Sequence, residues 1–323
     1  LMHYPMRGSL RSALPRFWRQ AALAAREIDG DLFVASDLFS LPAAARAAKR
    51  ARKPLLYDAR ELYCSVAALQ GRRLMQRFWN WVEKRYARRA AVVLTVNDSI
   101  ATILRETYSD VRVVRNVSDF PKPAPSRKIR DLLGIPENRR ILLSQGGLQQ
   151  GRGAFILVDI LMELPDCHLV FLGDGALRGD IEAAARIAGV SERVCVLPSV
   201  PSGELPAWTA SADLGMCLIE DLGRSYYLSL PNKLFEYIAA GVPVIGSDFP
   251  EIGPLLRETS SGIAVNPSEP ELVLRAIRTL LNDDGRYERS RQACLEAATQ
   301  YHWDVEREHY LHILDGLLPQ KTE

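Results

Sequence analysis

LPNKLFEYIAAGVPVIGSD, residues 230–248, sets a helix and a strand back to back. Leu234 and Ile238 lie four apart and mark an inward helical face, Gly241 stops the helix, and VPVIGS follows as an apolar, β-branched run. A helix that feeds straight into a buried strand is the repeating unit of a parallel sheet covered by helices. Pro231 suits the first helical position, where its missing N–H costs nothing, so the amides of Asn232 and Lys233 point outward with the positive end of the helix dipole. Lys233 and Glu236, three apart, share a face at that mouth. A cation for phosphate and a carboxylate for vicinal hydroxyls meet the needs of a nucleotide's diphosphate and ribose. The alternative is a surface Lys–Glu pair, stabilising by roughly a few tenths of a kcal/mol.

The same alternation extends in both directions. Before the opening stretch lie the strand-like runs ILLSQGG (141–147), HLVFLGDG (168–175), RVCVLPS (193–199) and DLGMCLIE (213–220), and after it GIAVNP (262–267). Helical stretches near 268–282, 285–300 and 303–317 finish the chain. Nearer the N-terminus, DLFVAS (31–36), PLLYDA (54–59), AVVLTVN (91–97) and VRVVRN (111–116) alternate with helical patterns near 42–52, 72–89 and 98–107. SDFPKPAPSRK (118–128), with three prolines and no apolar period, reads as a linker between the two series. The expected fold is therefore α/β, with two Rossmann-like, doubly wound domains facing a central cleft. Their expected bounds are 1–120 and 121–303, with a helix over 304–323 returning to the first domain. A length of 323 residues fits two cores better than one.

Composition narrows the class. The 47% hydrophobic and 25% charged content is that of a soluble globular chain, and no window approaches the roughly 20 apolar residues of a membrane span. Five scattered cysteines lack any Cys-x-x-Cys spacing, so neither a zinc site nor a disulfide framework is expected, and a cytoplasmic location fits. The sequons at Asn97 and Asn116 then carry no meaning. Residues 1–120 hold 21 Lys+Arg against 11 Asp+Glu, a balance of +10, and residues 121–323 hold 20 against 28, a balance of −8. In RRLMQRFWNWVEKRYARR (72–89) the cations are interleaved with aromatic residues, which suits either a solvated helix face or an anionic lipid surface at the inner membrane face. No nucleic-acid motif accompanies the charge, so nucleic acid is not an expected partner.

Three further elements bear on chemistry. The loop SQGGLQQGRG (144–153) follows a strand and opens a helix; Gly146 and Gly147 let the backbone approach an anion, and Arg152 adds a cation where the helix begins. It is not a Walker loop, since no Gly-Lys-Ser/Thr follows. Gly173, Asp174 and Gly175 form a second turn between a strand and a helix, and a plain tight turn explains them equally well. The five histidines show no metal-like pairing beyond His309 and His312, a spacing common on wet helix faces, and no Asp-x-Asp metal motif or Gly-x-Ser-x-Gly elbow is present.

The order of strand and glycine loop with Arg152, then LVFLGDG, RVCVLPSVPSGEL and SLPNKLFEYIAAGVPVIGSD, resembles the donor-binding domain of retaining nucleotide-sugar glycosyltransferases of family four, group 1, which have the GT-B fold. YDARELY (57–63), the basic helix and VVLTVNDSI are similar to the acceptor-side domain of that family. The resemblance implies that Glu236 holds the donor ribose, that Arg152 and Lys233 bind the diphosphate, and that Arg60 replaces an acceptor-side histidine. It further implies that Val196, Leu197 and Ser199 lie against the base, and that Ser229, Leu230, Pro231 and Asn232 cover the distal phosphate and sugar. The implied donor is a UDP- or GDP-linked sugar used without a metal or other cofactor. The implied acceptor is a glycan or a lipid-linked glycan of cell-surface polysaccharide synthesis.

Three positions depart from the family pattern: Leu228 stands where a first glutamate belongs, Gly147 where an arginine belongs, and Arg60 where a histidine belongs. They keep two other readings open, a non-catalytic nucleotide- or partner-binding protein and a nucleotide-sugar epimerase. The family's first strand and glycine loop do not appear before residue 31, which reads as an absent N-terminal segment.

Overall fold

The computed structural model describes residues 10–25, 27–66, 69–120 and 124–318. The chain divides into two compact units. One takes the described residues up to Arg115, Gly223–Ser225, and those from Arg307 onward; the other takes Asn116–Leu222 and Tyr226–Glu306.

The first unit runs α1 (Leu10–Ala24), β1 (Phe33–Ala35), α2 (Leu41–Ala51), β2 (Leu55–Asp58), α3 (Arg73–Ala87), β3 (Val92–Thr95), α4 (Asp98–Arg105) and β4 (Val111–Val113). Its four described strands are parallel and ordered β1-β2-β3-β4, so each crossover steps the same way. Right-handed crossovers that all step one way put their helices on one face. Tyr57 reaches that side, where its hydroxyl donates to Glu83 of α3 at 2.8 Å. The opposite pleat, Leu56 with Val92 and Leu94, would be left bare, and the C-terminal segment covers it with Tyr310, Ile313, Leu314 and Leu317. Asn97 is fully buried and caps α4 by accepting the Ile100 N–H at 2.8 Å, so its sequon is no glycan site.

The second unit runs α5 (Lys128–Leu133), β5 (Arg140–Gln145), α6 (Ala154–Ile160), β6 (Cys167–Leu172), α7 (Arg178–Ile187), β7 (Val194–Leu197), α8 (Leu205–Thr209) and β8 (Leu214–Cys217). It continues through α10 (Asn232–Ala239), β9 (Val244–Ser247), α11 (Ile252–Thr259), β10 (Gly262–Val265), α12 (Pro270–Leu281) and α13 (Asp284–Ala297), while α9 (Arg224–Tyr227) and α14 (Trp303–Asp315) are divided between the units, α14 passing to the first at Arg307. Strand order is β10-β9-β8-β5-β6-β7, all parallel. The chain winds outward from β5 to β7, returns, and winds the other way from β8 to β10. Loops therefore diverge between β5 and β8, and that switch point is where such sheets bind ligands. Alternation along β5 builds both cores: Leu142 packs with α6, α7 and α12, whereas Ile141 and Leu143 pack with α5, α10 and α11.

The stretch after β4 does not run free as a linker. Val117 is buried in the second unit's core, the Phe120 carbonyl lies 3.3 Å from His302 Nε2, and the Ser126 and Ser211 hydroxyls meet at 3.0 Å. Its apolar residues, outweighed in the sequence reading by the prolines, anchor it. Pro121 and Pro123 lie outside the described residues.

Candidate functional site

Glu236 and Lys233 come to the switch point on α10. Pro231 does not occupy the first helical position: with φ −75° and ψ 142° it is the extended cap before the helix, and its carbonyl accepts the Leu234 N–H at 3.0 Å. Proline's fixed φ serves both places, but extended ψ delays the helix by one residue. The first-turn amides of Asn232 and Lys233 still have no acceptor within the helix.

Lys233 is not a surface residue. Its side chain is buried, 7% exposed, which rules out the solvent-facing Lys–Glu pair. Burial, together with the neighbouring Arg152 charge, lowers its ammonium from the ordinary value to about 8, while Cys217 and Glu236 act in the opposite sense. Burial drives the Cys217 thiol up. Arg152 stands over the Tyr226 ring at 5.5 Å, and its Nε is buried without a hydrogen-bond partner. No ion pair ties either cation to a carboxylate among the described residues. Two cations, Lys233 buried and Arg152 half-buried, with no salt bridge among the described residues, make an arrangement suited to a polyvalent anion.

Glu236 is held on both oxygens. The Ser118 hydroxyl donates to Oε1 at 3.2 Å and the Gln145 side-chain amide to Oε2 at 2.5 Å. Burial pushes its carboxyl above the ordinary range, and these two donors, with the Lys233 charge, pull it back. Each oxygen keeps acceptor capacity for a further donor, which suits a vicinal diol.

The glycine loop is partly committed to the protein itself. The Gly153 N–H, read from sequence as part of an open anion-binding mouth, donates to Glu220 Oε1 at 3.0 Å, and the Glu220 N–H returns to the Gly151 carbonyl at 3.0 Å. A carboxylate 67 residues away thus fills that amide. Gly146 and Gly147 remain exposed at the end of β5. The second glycine turn locks onto the first: Gly146 N–H donates to Leu172 O, and Leu148 N–H to Asp174 O, both at 2.9 Å. A Cβ on Gly173 would stand 2.0 Å from the Gly146 carbonyl oxygen, and one on Gly175 2.1 Å from that of Leu148. These two glycines are set by close approach of backbone to backbone.

The remaining sequence candidates fall around this pair of loops. Asp174 accepts the Ser199 N–H at 3.1 Å and the Ser199 hydroxyl, which hold its carboxyl below the usual range. The Leu197 carbonyl accepts the Gly173 N–H at 3.0 Å, and that of Val196 accepts Arg178 Nη1 at 2.8 Å. The Ser229 hydroxyl is spent on the Tyr226 carbonyl at 2.7 Å, Leu230 is buried and Asn232 is exposed. Arg60 belongs to the other unit, where it pairs with Asp58 at 2.9 Å. A further cavity of about 680 Å³ over β10 and α12, lined in part by Asn266, Arg275 and Arg286, includes none of these residues.

Sequence reasoning missed Gln145, Thr209, Ser118 and Tyr226. Gln145 had a signal, as a polar residue ending an apolar strand just before a glycine turn; the others come from distant segments with no local mark. Among the described residues no cluster of His, Cys, Asp and Glu has metal-ligand geometry.

The fold matches solved GT-B structures. Sucrose-phosphate synthase from Thermosynechococcus elongatus superposes with a TM-score of 0.79 at 19% identity, covering 98% of this chain and 81% of that one. HepE from Anabaena in complex with UDP gives 0.76 at 19% identity, covering 97% and 85%. D-inositol 3-phosphate glycosyltransferase of Xylanimonas cellulosilytica is 28% identical over 206 residues, 58% of this chain and 46% of that protein. The chain spans about half the length of the curated relatives it matches. The family model "Glycosyl transferases group 1" matches residues 125–300, and "Glycosyl transferase 4-like domain" matches 2–117. With both halves accounted for, this chain belongs to the group 1 glycosyl transferases.

Proposed function

We propose that the second unit binds a nucleotide diphosphate sugar, UDP- or GDP-linked, and that the protein transfers the sugar with retention of anomeric configuration to a glycan or lipid-linked acceptor. One observation carries this reading: Arg152 and Lys233, neither in a salt bridge among the described residues, stand beside a Glu236 carboxylate already oriented by two donors. Cleavage of the bond between sugar and diphosphate sends an electron pair to the diphosphate, and fixed cations in a poorly solvated site stabilise that developing charge. In this account the cation pair does the work a divalent metal does elsewhere, so transfer proceeds in EDTA. The neighbouring HepE structure, solved with UDP, supports a uridine donor.

The acceptor side is read from α3. Leu74, Phe78 and Trp81, at helical spacing, are 80%, 40% and 60% exposed, and Arg77, Lys84, Arg85 and Arg88 surround them. Apolar side chains ringed by cations suit an anionic bilayer surface, where a lipid-linked acceptor for cell-surface polysaccharide would reside. No described helix is long and apolar enough to cross a membrane. We place the protein on the cytoplasmic face as a peripheral enzyme.

A second reading, nucleotide binding without transfer, is favoured by Leu228, buried where the family pattern carries a carboxylate for the sugar. Incubation with radiolabelled UDP- and GDP-sugars and a membrane extract decides between them: labelled lipid or glycan product supports transfer, and nucleotide binding with neither transfer nor donor hydrolysis supports the second.

A further inference from the structure

Gln145 ends β5 with its side chain turned into the molecule, 3% exposed, in register with the apolar Leu172 and Leu197 of the neighbouring strands. A buried amide is costly unless each of its polar atoms is satisfied. Here both ends are. Nε2 donates to Glu236 Oε2 at 2.5 Å, and Oε1 lies 3.0 Å from the Thr209 hydroxyl, itself fully buried. The Gln145 backbone N–H donates to the Tyr237 hydroxyl at 2.9 Å, which in turn donates to the Leu143 carbonyl at 2.9 Å. Strand β5 is therefore fastened to α10 twice, at adjacent residues Glu236 and Tyr237.

Charge fixes the direction of this chain of bonds. An ionised Glu236 accepts and cannot donate, so the amide must face it with nitrogen, and Oε1 must face Thr209. Thr209 also lies 2.9 Å from the Leu205 carbonyl but has one proton. That proton goes to Gln145, because two acceptors would otherwise confront each other.

We propose that Gln145, held in orientation by Thr209, is a positioning residue that aims the Glu236 carboxylate at the ribose diol of the donor, so that these two residues set the preference for ribo- over deoxyribonucleotides. The inference rests on the donor-site reading above. Gln145 touches no substrate in this account; it acts through Glu236. A merely structural Gln145 would, when altered, weaken all nucleotides alike or lower stability. A positioning Gln145 would, when altered, selectively abolish the advantage conferred by the hydroxyls.

The experiment is calorimetric titration with UDP and GDP and with their 2′-deoxy and 3′-deoxy counterparts, using wild type, Gln145→Met, Thr209→Val and Thr209→Ser, with thermal melts to establish folding. A hydrogen bond to a charged group predicts a wild-type preference for the ribo form of about tenfold or more. We expect that ratio to fall to within about threefold in Gln145→Met and Thr209→Val, and to return in Thr209→Ser. Thr209→Val keeps the test open if Gln145→Met does not fold. Binding with the wild-type ratio preserved in the folded variants overturns the positioning role alone. No binding of any nucleotide by wild type overturns the donor-site reading and this role with it.

Discussion

Arg152, from the loop after β5, lies close enough to Lys233, on α10, for its guanidinium to lower the Lys233 ammonium, and neither is in an ion pair among the described residues. Like charges gathered without a salt bridge cost stability in the unliganded protein, and relief of that cost would add to the affinity for an anion bound between them.

The lowered Lys233 gives a pH dependence of stability. Its ammonium is about 8 in the folded protein against an ordinary 10.5. Between those values the unfolded chain holds more protons than the folded one, so this contribution makes stability rise with pH across that window. Below it the burial penalty is fully present. We expect Lys233→Met to melt higher than wild type at pH 7, with the difference shrinking as pH rises toward 10. Melting curves over pH 7–10 check this, and a difference that does not change with pH would count against it.

Affinity moves the opposite way. An anion binds the charged ammonium, so the dissociation constant for UDP should be flat below pH 8 and weaken above it, by up to about tenfold per unit. Lys233→Arg, which keeps its charge, should flatten the profile. Titrations at pH 7, 8 and 9 read both.

The interlocked turns predict a sharp contrast between glycines. Gly175→Ala forces a Cβ to 2.1 Å from a backbone oxygen and should cost about 2–4 kcal/mol. Gly179, in α7, has nothing within 4 Å of its would-be Cβ. Gly179→Ala should stabilise by roughly 0.5–1 kcal/mol, because alanine is the better helix residue. Urea denaturation of both variants measures the difference.

These residues also show what a sequence can and cannot display. Strands, helices and their order were legible because apolar period and glycine stops act within a few residues. Glu236, Lys233 and Arg152 stood out because charge at a helix or loop mouth is a local sign. The burial of Lys233 was not legible, nor its neighbours Cys217 at the end of β8 and Arg152 in the loop after β5, which distant segments bring to it. Neither was Glu220 filling the Gly153 amide, nor Ser118 reaching Glu236 across 118 residues. Pairings between distant segments are set by the sheet order, and a single sequence does not write that order down.

The α3 surface predicts salt-sensitive attachment to lipid. Wild type should float with vesicles of phosphatidylglycerol and not with neutral phosphatidylcholine. Replacing Arg77, Lys84 and Arg85 by glutamate should abolish flotation, and Trp81→Ala should reduce it several-fold, without loss of nucleotide binding. Flotation unaffected by the charge reversals would show that α3 is not the contact.

We propose that the Arg152–Lys233 pair is a diphosphate site. Its most direct test is calorimetric titration of wild type and Arg152→Ala with UDP and GDP against uridine and guanosine. Wild type should bind one diphosphate far more tightly than its nucleoside, and Arg152→Ala should weaken the diphosphate by roughly tenfold to a hundredfold while leaving the nucleoside unchanged. Equal affinity of diphosphate and nucleoside in wild type, or an Arg152→Ala protein that binds the diphosphate as well as wild type, would contradict it.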